Sequence, residues 1–181
     1  MPTVSVVVPA EAAPAAEGQS PAPTATPQEA RSVEAAAARD PLPSYAVSED
    51  RLIVVDQAAQ LMHVYEGGQE IRTIPCSTGI PDGYRTPAWS GEVGAYWGTF
   101  FAEGLYADDA WYLFRAQGSI LIHSSPYTIE NGTPVYQDLE ALGRYPSSHG
   151  CIRIHPDDAQ WLKRWGPAGV PVTITDWEGV Q

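Results

Sequence analysis

The chain has 181 residues, with 22 acidic and 10 basic side chains and a formal net charge of −12 at pH 7. This acidic balance argues against nucleic-acid binding, because contacts to phosphates need a surplus of Lys and Arg. The sequence predicts no transmembrane segment, since no apolar run is long enough to span a bilayer. The apolar residues 4–8 are too short, and lack the preceding basic residues, to be a secretory signal.

The N-terminal part of the sequence is predicted to be a linker. Residues 1–44 contain no aromatic side chain, and Ala and Pro dominate residues 9–44. Such a segment buries too little apolar surface to offset the entropy lost on ordering it. All Trp, Tyr and Phe residues lie at or beyond Tyr45. We therefore expect a disordered Ala/Pro-rich linker over residues 1–44 and one folded domain over residues 45–181.

The folded part is rich in short β-type runs that turn residues separate. Seven strands are predicted, at residues 51–55, 61–65, 70–76, 95–101, 111–115, 119–123 and 170–175. Residues 79–89 form a long loop that contains Gly and Pro, a candidate wall of a cleft. Helices are predicted at residues 138–142 and at residues 156–165, the second ending before Gly166. These elements predict a mainly β domain, a sandwich or partial barrel with one or two short helices.

The run S-S-H-G-C-I-R-I at residues 147–154 carries the clearest chemical signal. It sets Cys151 directly after Gly150 and two residues after His149. A nucleophilic thiol needs a neighbour that favours the thiolate, and His149, Arg153 and the helix start at Pro156 are candidates. Glycine lets the backbone approach a substrate carbonyl, so the amide of Cys151 is a candidate oxyanion donor.

A second histidine ends the apolar run S-I-L-I-H at residues 119–123. The end of a strand is a rigid position from which His123 can aim its imidazole. Cysteine nucleophiles commonly act with an imidazole base. The sequence therefore predicts a Cys151–His123 pair, which only the fold can bring together.

The order of these motifs resembles the catalytic domain of the L,D-transpeptidases (YkuD-type). The resemblance rests on the strand ending in His123, the run S-H-G-C-I-R at residues 148–153, the helix after it and a terminal strand. Upstream, R-L-I-V-V-D at 51–56, Q-L-M-H-V-Y at 60–65, C-S-T-G at 76–79 and Thr86-Pro87 resemble that domain's opening strands and substrate loop. The spacer between the two histidines is long, so we expect an extra turn or hairpin over residues 127–136.

The resemblance implies a mainly β domain of the L,D-transpeptidase catalytic type that forms cross-links in peptidoglycan. Cys151 would attack the carbonyl of the third residue of a stem peptide, a diamino acid, and expel the terminal D-alanine. The side-chain amine of a second stem would then take the thioester. His123 would be the base, with the carbonyl of Ser124 holding its tautomer, and the amides of Gly150 and Cys151 would stabilise the oxyanion. The supporting residues would be Ser148, His149 and Arg153.

The same resemblance implies partners and a location. The partners would be peptidoglycan stem peptides, with no cofactor and no metal, and the setting would be extracytoplasmic, in the cell wall or the periplasmic space. The resemblance makes no prediction of the oligomeric state. It also places Cys76 on a strand leading toward the substrate loop and close to Cys151.

Other interpretations stay open at this stage. Water in place of an amine would make the same thiol site an L,D-carboxypeptidase or a cross-link hydrolase. His123, His149, Cys151 and His155 are alternatively zinc ligands, although their spacing is not that of paired ligands. A wall-binding module with an inactive site would lack the nucleophile or the base, and both residues are present. Cys76 and Cys151 are alternatively a disulfide.

Overall fold

The computed structural model describes residues 50–177, so the predicted linker at residues 1–44 lies outside the described residues. Within 50–177 there are eleven strands, one α-helix and one 3₁₀ turn at Leu139–Ala141. The strands are β1 (Arg51–Asp56), β2 (Leu61–Glu66), β3 (Gln69–Ser77), β4 (Trp89–Glu92), β5 (Tyr96–Ala102), β6 (Leu105–Arg115), β7 (Ser119–Ser124), β8 (Tyr127–Glu130), β9 (Thr133–Tyr136), β10 (Ile152–Ile154) and β11 (Pro171–Ile174). The helix α1 spans Pro156–Trp165.

The strands join into one sheet in the order β4-β11-β1-β2-β3-β10-β7-β6-β8-β9, and β5 pairs with β6 beside this path. Two neighbouring pairs, β1 with β11 and β10 with β7, are parallel. Strand β3 connects two halves of this sheet, one made of β4, β11, β1 and β2 and the other of β10, β7, β6, β5, β8 and β9. Within β3, Ile74 pairs with Met62 of β2, while Cys76 pairs with Ile154 of β10. The described strands do not close into a barrel, since β4 and β9 stand at opposite ends of the order.

The core lies where the inward faces of the two halves meet. Strand β1 alternates buried and half-buried residues, which is the pattern of a strand with one covered face. Its buried residues join side chains from β2, β3, β7, β10 and β11 in a single apolar cluster. Ala159 and Leu162 of α1 complete that cluster. Strands β7 and β10 are therefore fixed by a closely packed core.

The predicted mainly β fold is confirmed. The helix at residues 156–165 has the predicted bounds, and the side chain of His155 caps it by accepting from the amide of Asp157. The second predicted helix is only the 3₁₀ turn at Leu139–Ala141. The expected hairpin over residues 127–136 is the β8–β9 pair. None of the helical segments within residues 50–177 has the length and apolar character needed to cross a membrane.

Candidate active site

Pairing of β10 with β7 brings the predicted nucleophile and base to one face. The parallel register sets Ile152 opposite Ile122 and Arg153 opposite His123. Both isoleucines belong to the core, so the alternate residues Cys151 and His123 face the other side of the sheet. Cys151, Arg153, Leu121 and His123 all line one cavity of about 390 Å³. The fold thus places the predicted nucleophile and the predicted base in one cavity.

His123 is buried and its ring orientation is fixed. Its Nδ1 lies 2.6 Å from the carbonyl oxygen of Ser124, so Nδ1 carries the proton and Nε2 holds the free lone pair. The ring of Phe100 on β5 packs edge-on against the imidazole, with the centroids 5.2 Å apart. The hydroxyl of Ser124 in turn accepts from the amide of Asp108 on β6 at 2.9 Å. These contacts present Nε2 as the atom of His123 that can take a proton.

The side chain of Ser148 forms two hydrogen bonds within the turn that carries Cys151. The Oγ of Ser148 accepts from the amide of Gly150 at 3.0 Å and donates to the carbonyl of Cys151 at 2.5 Å. Gly150 has φ 118°, a conformation that side chains rarely adopt. The expectation that the Gly150 amide is open for an oxyanion does not match this arrangement, because that amide already has a partner. The amide of Cys151 is the remaining backbone candidate.

The loop at residues 79–89 is anchored beneath the same turn. The buried hydroxyl of Thr86 accepts from the amide of Gly79 at 2.9 Å and donates to the carbonyl of Gly150 at 2.8 Å. Gln57 donates from its side-chain amide to the carbonyl of Thr86 at 3.1 Å. A Cβ on Gly79 would lie 1.9 Å from the carbonyl oxygen of Tyr84, so no other residue fits there. Thr86 therefore holds the residue directly before the nucleophile.

We expect Thr86→Val to lower both stability and activity. Valine keeps the volume but leaves the amide of Gly79 and the carbonyl of Gly150 buried without partners, which costs about 2 to 4 kcal/mol of unfolding free energy. Denaturant unfolding and turnover on the same preparation measure the two effects. Thr133→Val on the exposed strand β9 is the matched control and should change neither. Equal behaviour of the two variants would contradict the anchoring role of Thr86.

Arg153 braces the site from within the protein. Its Nη1 donates to Asp138 Oδ2 at 2.8 Å and to the carbonyl of Ser147 at 3.1 Å. These bonds join β10 to the segment before the 3₁₀ turn and to the start of the Cys151 turn. Through these bonds Arg153 holds the two segments against β10.

His149 lies at the mouth of the cavity. Its imidazole is half exposed, and Nδ1 is 2.8 Å from the carboxylate of Glu103 in the β5–β6 turn. The ring also packs on Tyr84 of the 79–89 loop, with the centroids 4.4 Å apart. His149 therefore connects the two walls that flank Cys151, and its Nδ1 faces Glu103.

Burial keeps the thiol and the imidazole neutral. Desolvation raises the pKa of the Cys151 thiol, although the charge of Arg153 opposes the shift. Desolvation lowers the pKa of His123 to about 4, and the bond to Ser124 only partly offsets it. Of the neighbours predicted to favour a thiolate, Arg153 does so, but desolvation of the thiol outweighs its effect. Helix α1 does not help, because β10 separates Cys151 from its first residue.

We expect the alkylation of Cys151 by iodoacetamide to reveal this neutral thiol. The thiolate is the reactive form, so the rate constant should rise about tenfold per pH unit between pH 7 and 9. Peptide mapping after timed labelling of the wild-type protein measures it, with Cys151→Ala as the blank. A rate that is already constant between pH 5 and 7 would instead indicate a preformed thiolate–imidazolium pair.

The disulfide and zinc interpretations lack the geometry that they require. Cys76 and Cys151 are both free, and Cys76 belongs to the apolar core while Cys151 lines the cavity. Within residues 50–177 no three His, Cys, Asp or Glu side chains come together as a metal-binding group. His155 caps α1 instead.

Several residues of the cavity were not predicted from the sequence. Phe100, Glu103 and Tyr106 belong to the β5–β6 hairpin, which forms one wall. The local signal that was available is Gly104 between two β-type runs, since Gly favours a hairpin turn, although Glu is not a preferred residue at the position before it. Asp138, the partner of Arg153, carries no comparable local signal.

Comparison with known proteins places this mainly β fold in a known class, that of the L,D-transpeptidases. The sequence model of the L,D-transpeptidase catalytic domain (YkuD) matches residues 50–174, which is more than half of the chain. The chain belongs to this family.

Individual relatives agree with that assignment. The chain is 32% identical over 128 residues to the Bacillus subtilis (strain 168) protein named "Putative L,D-transpeptidase YciB", covering 68% of this chain and 64% of that protein. An L,D-transpeptidase from Mycobacterium smegmatis has a similar fold, with a TM-score of 0.57 and 22% identity over 70% of this chain and 59% of its own. L,D-transpeptidase 3 from Mycobacterium tuberculosis, in complex with a faropenem-derived adduct, gives a TM-score of 0.56 and 21% identity, covering 70% of this chain and 60% of its own. The chain thus spans less than two thirds of the length of these relatives.

Proposed function

We propose that this protein is a cysteine-dependent acyltransferase that joins peptidoglycan stem peptides through a thioester on Cys151. The observation that carries the proposal is the placement of Cys151 and His123 on one face of two adjacent strands, in one cavity. Membership of the L,D-transpeptidase family supports the substrate class. The catalytic domain would extend over residues 45–181, with residues 1–44 as its linker.

In the first half-reaction Cys151 attacks the carbonyl carbon that precedes the terminal D-alanine of a donor stem. The thiol proton passes to Nε2 of His123, whose Nδ1–H stays bonded to Ser124. The C–N bond breaks, the departing amine takes the proton from Nε2, and a thioester remains. The lowered pKa of His123 leaves its imidazole unprotonated at neutral pH, so that Nε2 is free to accept the thiol proton.

Backbone and side-chain groups would support this step. The amide of Cys151 is the proposed oxyanion donor, since that of Gly150 is bonded to Ser148. Ser148, Gly150 and Arg153 would hold the turn in the attacking geometry through the bonds described above. His149, at the mouth of the cavity, would shape the entrance for the stem peptide.

The second half-reaction decides between synthesis and hydrolysis. Attack on the thioester by the side-chain amine of another stem gives a cross-link, whereas attack by water gives a shortened stem. We propose transfer as the main outcome. The site of action would be extracytoplasmic, in the cell wall or the periplasmic space, because that is where peptidoglycan stems are.

Incubation of the protein with purified tetrapeptide muropeptides, followed by mass spectrometry of the products, tests this function. We expect a cross-linked dimer that has lost one D-alanine. Tripeptide monomers without dimers would instead identify a carboxypeptidase. Unchanged muropeptides would contradict both activities.

A further inference from the structure

The turn between β5 and β6 differs from the other two-residue hairpin turns of this structure. Glu103 and Gly104 connect the paired residues Ala102 and Leu105, and both have positive φ, 53° and 83°. The β2–β3 and β8–β9 turns also have positive φ at both positions, but they use Gly67-Gly68 and Asn131-Gly132. Gly and Asn tolerate this conformation, whereas a longer side chain is strained in it.

Strain of this kind points to a role for the side chain itself. A residue kept in an unfavourable backbone region is typical of functional sites, where another requirement outweighs turn geometry. Glu103 meets that description, because it is the only aspartate or glutamate among the described residues that line the cavity. Its side chain is 67% exposed at the mouth, so an incoming molecule can reach it.

The carboxylate of Glu103 is directed across the entrance to the nucleophile. Oε2 lies 2.8 Å from Nδ1 of His149, which leaves Oε1 as a second acceptor. The negative charge is close enough to Cys151 to contribute to the raised pKa of the thiol. Arg153 also lines the cavity, but its Nη1 is bonded to Asp138 and Ser147. A cation that approaches Cys151 through this mouth therefore meets an available carboxylate.

We propose that Glu103 is a specificity-determining residue that binds the ammonium group of the acceptor and so favours transfer to an amine over hydrolysis. This inference rests on the proposed function, because it concerns the second half-reaction of that same site. An ammonium carries three donors and matches a carboxylate in charge. Water and anionic nucleophiles gain nothing comparable from Glu103.

The acceptor ammonium, held by Glu103, loses one proton to solvent, and its nitrogen then bonds to the thioester carbon. A second proton passes from that nitrogen to Nε2 of His123. The C–S bond breaks, Cys151 takes the proton back as a thiol, and the third hydrogen stays on the new amide nitrogen. Glu103 contacts the acceptor without exchanging a proton.

The proposal is tested by measuring how the acyl-enzyme divides between transfer to an acceptor and hydrolysis. The wild type, Glu103→Gln and Glu130→Gln are each supplied with the same donor stem and one of two acceptors. Nα-acetyl-lysine amide is cationic, and hydroxylamine is uncharged at pH 7. The ratio of transfer product to hydrolysed donor is measured by mass spectrometry, and this ratio does not depend on how fast the acyl-enzyme forms. Glutamine keeps an oxygen for His149, and Glu130 is an exposed acid in the neighbouring β8–β9 hairpin.

We expect Glu103→Gln to lower the transfer ratio about fivefold with the cationic acceptor, the size of an exposed ion pair. The ratio with hydroxylamine should stay within about twofold, and Glu130→Gln should change neither ratio. Added salt should reduce the difference between wild type and Glu103→Gln, because it screens the charge.

Two results would overturn the role of Glu103. One is an unchanged ratio with the cationic acceptor, and the other is an equal fall with hydroxylamine, which would indicate that Glu103 only positions the turn of Cys151. Failure of the wild type to form any acyl-enzyme is a different outcome, since it would refute the proposed function itself.

Discussion

Cys151→Ala is expected to reduce the formation of cross-linked muropeptides by more than about 10³-fold while the fold stays intact. Removal of the sulfur deletes the covalent step, and the other groups of the site cannot replace it. Cys151 lines the cavity and is not part of the apolar core, so alanine leaves no void among the packed side chains. Product mass spectrometry and thermal unfolding of the same preparations measure activity and stability.

Cys76→Ala is the matched control for that experiment. Cys76 is fully buried in the core, so its truncation should lower stability by about 1 kcal/mol and preserve the chemistry. Cys151→Ala should therefore lose activity and keep its stability, whereas Cys76→Ala should keep its activity and lose stability. Retention of more than a small fraction of wild-type activity by Cys151→Ala would show that Cys151 is not the nucleophile.

His123→Ala is expected to be nearly as damaging as Cys151→Ala, and the double variant should be little worse than either single one. Residues that act as one unit in a proton transfer have strongly non-additive effects. His149→Ala should cost less, because His149 lies at the mouth and bonds to Glu103. Initial rates of donor consumption for the four variants, relative to wild type, measure this pattern.

The pH dependence of the wild type checks the same assignment. His123 must be neutral to accept the thiol proton, and its pKa is lowered to about 4. Activity should therefore be independent of this group above about pH 5, and fall about tenfold per unit as the pH drops below 4. Normal activity of His123→Ala, together with complete loss in His149→Ala, would make His149 the base.

Strand prediction from the sequence succeeded where the local pattern was regular. Strand β1 shows the alternation of a half-buried strand, and its predicted bounds differ by one residue. Strand β6, by contrast, begins at Leu105, six residues before the predicted start at Trp111. Asp108 and Asp109 resemble turn residues in the sequence. In the fold, Asp109 pairs with Tyr96 and Lys163, partners that a local pattern does not reveal.

In the candidate site too, residues within local motifs were predicted, whereas contacts between residues far apart in the chain were not. Cys151 and His123 were predicted because each stands in a recognisable motif, and the fold brings them into one cavity. The neutral thiol of Cys151 was not predicted, because it depends on burial, to which the β5–β6 hairpin contributes as a wall of the cavity. The bond from Thr86 to Gly150 likewise joins residues that lie far apart in the chain. Spacing in the sequence contains no signal for such contacts.

The proposed mechanism requires Cys151 to be an accessible acyl acceptor with a preformed site around it. Intact-protein mass spectrometry after incubation with a carbapenem tests it most directly, because the strained carbonyl of the drug mimics the scissile amide. The wild type and Cys76→Ala should each gain the mass of one drug molecule, and Cys151→Ala should gain none. A label that depends on Cys76, or no adduct on the reduced and folded protein, would contradict the role of Cys151 as the nucleophile.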